Sequence, residues 1–121
     1  VKAPPLFRTA WYDWFFNDAL ASFRAVRDHG APGVAARARL IITPHSHNTL
    51  GYKEGLATHP ELSLVSNNLA IVDLLTRWYE AIRNDTVSAW PTVIYYLMGA
   101  NVWCTAQDWP PPRRTRAGPA P

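Results

Sequence analysis

The side chains with the most chemistry in this sequence are His45 and His47, separated by one residue. In an extended backbone, residues two apart point to the same side, so both imidazoles would meet one ion. His59, Glu54 or Glu61 would add a third ligand and leave a fourth position open, as in a catalytic zinc site. On this reading the cofactor is zinc or another divalent metal, and the chain is a small metal-binding domain or metal-dependent enzyme. The barrel of strands that carries His-x-His motifs of the cupin and amidohydrolase type has no counterpart in the pattern here. The alternative is a polar loop whose histidines bond locally or face a partner.

No nucleophile stands out. Cys104 lies in an apolar run with no histidine or basic residue near it in sequence, and reads as a packed thiol. As the only cysteine it forms no intrachain disulfide, which fits a reducing intracellular compartment. Gly30 and Gly33 flank Pro32 without the strand, the spacing or the following Lys of a phosphate loop. The carboxylates are scattered singly over helical polar faces, where solvated surface is the default. Asp13 and Asp18, five positions apart, do not share a face. No motif specifies a reaction.

The charge is local. Residues 1–109 hold nine Lys and Arg against nine Asp and Glu, so the net +3 comes from Arg113, Arg114 and Arg116. These come after Pro110-Pro111-Pro112, a stiff run that suits a groove lined with aromatics and acids. Three arginines also suit phosphate, which makes a nucleic-acid-associated accessory protein a second alternative. A helix-turn-helix over residues 62–83 is disfavoured, because Asp73 and Glu80 on its face would repel phosphate.

The elements that would position these groups read as helices. At 121 residues the chain is one domain with one core. Hydrophobic residues make up 48% and charged residues 17%, with six Trp, so part of the surface is expected to be covered by a partner. After an extended arm (residues 1–8, with Pro4 and Pro5), Thr9 is a plausible N-cap. Tyr12, Phe15, Phe16, Ala19, Leu20, Phe23 and Val26 then recur at helical spacing as far as Gly30 at the C′ position. Pro32 opens a short second helix whose end, Leu40-Ile41-Ile42, reads as helix rather than strand for want of a nearby pairing strand. Residues 43–59 are irregular. A central helix starts at Pro60 and carries Leu64, Ile71, Leu74, Leu75, Trp78 and Ile82 on one face, with an Asp73–Arg77 pair on the other.

Residues 86–107 carry no charge for 22 positions. A bilayer crossing needs about 20 apolar residues, but Ser88, Pro91, Thr92, Asn101, Thr105 and Gln107 argue against a span, and membrane contact is not expected. Gly99 divides the run into two pieces, read as a buried helical pair.

The fold expected from these patterns is all-α. It is an irregular helical bundle of four to five helices over residues 9–109, with Pro-rich arms at residues 1–8 and 110–121. The function expected first is a non-enzymatic structural or accessory subunit of a larger protein assembly. It would dock on other protein subunits through Trp11, Trp14, Trp90 and Trp103, with Arg113, Arg114 and Arg116 pairing to a neighbour's acids or phosphates.

Overall fold

A computed structural model describes residues 3–47, 71–100 and 102–112. The described residues run β1 (Leu6–Tyr12), α1 (Phe16–His29), α2 (Pro32–Ala35), β2 (Arg39–Ser46), α3 (Ile71–Arg83), β3 (Val93–Leu97) and β4 (Val102–Ala106), with a 3-10 turn at Val87–Ala89. The strands form a single sheet in the order β1-β2-β3-β4. β1, β2 and β3 are mutually parallel, and β4 returns antiparallel to β3.

This overturns the all-α expectation. The fold is α/β, with a mixed four-stranded sheet and, among the described residues, three α-helices. The helical bundle is replaced by helices lying on the two faces of that sheet.

The expected single helix from Thr9 onward is a strand followed by a helix. Within β1, Phe7 and Trp11 join one core while Leu6 joins the other, the period of two that defines a strand. Thr9 sits inside β1, fully buried, and caps nothing. The helical spacing does hold from Phe16 onward. Phe23 of α1 packs with Ala38, Leu40, Ile42 and Val93 on one face of the sheet. Gly30 ends α1, its N–H donating to Val26 O at 2.9 Å. Its φ of −69° is not the left-handed value expected of a C′ glycine. Glycine is needed there for another reason: a Cβ would run into the Val26 carbonyl oxygen.

Leu40-Ile41-Ile42 is strand, and its pairing partners lie far away in sequence. Leu40 sits between Phe7 on β1 and Val93 on β3. The charge-free stretch is a hairpin rather than a helical pair. Its β-branched and aromatic runs, Val93-Ile94-Tyr95-Tyr96-Leu97 and Val102-Trp103-Cys104-Thr105-Ala106, pair from Val93↔Ala106 to Leu97↔Val102. Gly99, at φ +84°, makes the turn between them. No helix among the described residues is long and apolar enough to cross a membrane.

The second face is covered by α3, where Trp78 and Ala81 pack with Val87 of the 3-10 turn, Leu6 and Trp90. Trp78 is buried on one side of the sheet rather than at the centre of a helical bundle. The N-terminal part of the expected central helix, with the pairing of Asp73 to Arg77, lies outside the described side chains.

Candidate functional site

In open parallel sheets the residues that do chemistry gather beyond the carboxyl ends of the strands. β1 and β2 are adjacent and parallel, so the residues that leave their carboxyl ends emerge side by side. The register brings two particular residues together. Ala10 pairs with Thr43, but Tyr12 pairs with Ser46, so β2 carries one extra residue at Pro44-His45. Proline offers no N–H to a ladder and is tolerated at such a bulge, and a bulge next to a site re-aims the side chains that come after it. With Tyr12 beside Ser46, the next residue on each strand is Asp13 and His47.

Asp13 Oδ1 lies 2.9 Å from His47 Nδ1. A carboxylate only accepts hydrogen bonds, so Nδ1 carries the proton and donates it; in the neutral imidazole the lone pair is then on Nε2. The same Oδ1 accepts the Phe15 backbone N–H at 2.9 Å, and Asp13 N–H closes a turn onto Ala10 O at 3.0 Å. These bonds fix the carboxylate at the start of α1. The Asp13 side chain is only 6% exposed, whereas that of His47 is 42% exposed. The acid is shielded and the base is open, as proton transfer to an external group requires. Trp14 stacks on the imidazole (5.8 Å, 15°) and Phe15 meets it edge-on (5.2 Å, 66°), so the ring is held from two further sides.

Arg8 is close enough to Asp13 to feel its charge, and His45 close enough to feel that of Arg8. Burial pulls the Arg8 pKa below its usual range, partly offset by the Asp13 charge. Burial also lowers the His45 pKa, and the neighbouring Arg8 cation adds to the effect. His45 Nδ1 is buried with no hydrogen-bond partner. The fold therefore holds His45 neutral, while the unfolded chain takes up a proton near the ordinary value of 6.5. The unfolded state binds more protons in that window, so stability rises with pH through it. The urea midpoint is expected to fall between pH 7.5 and pH 5, and His45→Phe to flatten that part of the curve.

The expected site residues are placed as follows. His47 is in the site, but its Nδ1 is engaged by Asp13 rather than shared with His45 on an ion. His59, Glu54 and Glu61 lie outside the described residues. Among the described residues, no three His, Cys, Asp or Glu side chains gather in a metal-like group. Trp11 donates Nε1–H to Tyr96 O at 2.6 Å and packs on Phe16 and Trp109. Trp90 meets Trp78 edge-on, and Trp103 meets Tyr96. Trp14 alone of the four is exposed, at 77%. Cys104 is half-buried, opposite Tyr95 in the hairpin. Arg113, Arg114 and Arg116 lie outside the described residues. Sequence reasoning missed Asp13. The signal for it is an acid immediately after an alternating strand, which shows only once residues 6–12 are read as strand.

No family model matches the chain. Over 118 residues it is 32% identical to a cocaine esterase of Rhodococcus sp. (strain MB1 Bresler), a match that covers 93% of this chain. The chain spans about a fifth (19%) of the length of that relative.

Proposed function

We propose that the chain carries the acid and base of a serine-type esterase. His47 is the general base, Asp13 orients it, and the nucleophilic hydroxyl comes from outside the described residues. The observation that carries this reading is the 2.9 Å Asp13–His47 contact at the carboxyl ends of adjacent parallel strands. The likeness to an esterase supports it. So does chain order, since α/β-hydrolases place nucleophile, acid and base in that sequence, and here the acid precedes the base.

The chemistry rests on the tautomer. Nε2 accepts the hydroxyl proton as the oxygen attacks the ester carbonyl carbon. Asp13 stabilises the imidazolium that forms, without taking its proton. His47 then protonates the departing alcohol. A water deprotonated by the same Nε2 releases the acid from the acyl-enzyme.

The test uses the polypeptide that carries these residues in its native form. It is expected to hydrolyse 4-nitrophenyl acetate and butyrate and to be inactivated by an alkyl fluorophosphonate bound to one serine. A chelator is expected to leave turnover unchanged. Absence of a labelled serine, or activity lost to the chelator and restored by zinc, overturns the reading in favour of a metal site.

A further inference from the structure

The face of the sheet turned toward α3 holds a recess. It lies toward the amino ends of the strands, on the order of 15–20 Å from His47 by strand rise. Its volume is about 400 Å³, and its walls include Ile41, Ile94, Trp90, Pro91 and Trp103. That volume is within the range of small-molecule sites. Of the described residues that line it, only Arg77 is charged.

The walls are fixed before any ligand arrives. Trp90 is held edge-on by Trp78 (5.3 Å, 73°), and its carbonyl oxygen accepts from Arg39 at 3.1 Å. Trp103 is pinned edge-on by Tyr96 (5.4 Å, 76°). Arg77 stands exposed on α3, and among the described side chains no carboxylate lies within ion-pair distance of it.

A purely apolar ligand would leave the guanidinium unused, and a sugar or nucleotide would strand its polar groups on tryptophan and isoleucine. The ligand that matches the recess is a flat or short apolar body with one anionic end, since guanidinium pairs with carboxylate in a two-pronged geometry. We infer that this cleft binds a small amphiphilic carboxylate, its apolar body between Trp90 and Trp103 and its carboxylate on Arg77. The inference is independent of the esterase reading, because none of the described residues that line the cleft is in contact with the Asp13–His47 pair.

The probes are 2-naphthoate and the neutral 2-naphthamide, titrated into the full 121-residue chain. Tryptophan fluorescence and amide chemical shifts report binding. Naphthoate is expected to saturate below about 1 mM, with shifts confined to the neighbours of Ile94, Trp90 and Trp103. Arg77→Gln changes an exposed side chain and is expected to weaken naphthoate about fivefold, leaving naphthamide unchanged. Ile94→Trp fills the recess and is expected to weaken both. Failure to saturate, an Arg77→Gln variant that binds naphthoate as tightly as the parent, or shifts centred on Trp14 and His47 would each overturn the inference.

Discussion

Replacing Asp13 with Asn is expected to leave the fold intact and to lower ester turnover about 10⁴-fold. The substitution keeps the shape of the side chain and its oxygen, so the Phe15 N–H still finds an acceptor. The change lies in the partner offered to His47. A carboxylate accepts from Nδ1 and fixes the proton there. An amide is neutral, and with its oxygen kept at the Oδ1 position by Phe15 N–H it still reaches Nδ1 but brings no negative charge. The imidazolium that forms as Nε2 takes the hydroxyl proton then has no counter-charge, and the neutral amide holds the Nδ1–H tautomer less firmly. Imidazole ¹⁵N shifts separate this from a packing defect: the parent is expected to show the Nδ1–H tautomer and the Asn variant to lose that preference. His47→Ala is expected to lose at least as much activity. A loss of less than tenfold in either variant would sink the assignment.

The effect is large because Asp13 is shielded while His47 is open. An exposed ion pair contributes little, typically under about 1 kcal/mol. A shielded carboxylate that accepts both the imidazole and a backbone N–H is held in one geometry and resists replacement by water. The aromatic neighbours Trp14 and Phe15 close the remaining sides of the ring.

Part of this is legible in the sequence. The helical spacing from Phe16 to Gly30, Pro32 at the first turn of α2 and the division at Gly99 are local signals, and each marks a real boundary. The strands are hidden for a physical reason. Parallel strands covered on both faces are continuously apolar, so Leu40-Ile41-Ile42 and Val93-Ile94-Tyr95 show no alternation to set them apart from buried helix. Their parallel partners lie more than thirty residues away, and a window of sequence does not contain the pairing that decides the matter. The site is half visible. His47 stands out in the sequence, but beside His45 on an ion rather than beside an acid. The bulge at Pro44-His45 destroys the simple i, i+2 argument, and Asp13 looks like one more polar residue on a helix.

Arg39→Met is expected to destabilise the chain by about 3–5 kcal/mol, a larger stability effect than any other substitution proposed for this chain. Arg39 is a charged residue at the first position of β2, yet it is only 4% exposed. Burial, with Arg27 nearby, lowers its pKa. Its guanidinium is satisfied by four backbone carbonyls rather than by a carboxylate: Ala36 O and Ala38 O at 2.9 Å, Val87 O at 2.9 Å and Trp90 O at 3.1 Å. Those oxygens belong to the turn after α2 and to the 3-10 turn that leads into β3. One side chain therefore sets where β2 begins relative to β3, and through β2 where the bulge and His47 fall. Methionine fills similar volume but leaves the carbonyls without a donor, at about 1–3 kcal/mol for each that stays dry. For a domain of this size the melting temperature should drop by roughly 10–20 °C. Arg39→Lys should recover only part of that, because an ammonium has three donors on one atom and does not span acceptors on both turns. A melting temperature within about 3 °C of the parent would show that water replaces the guanidinium and that the junction does not depend on it.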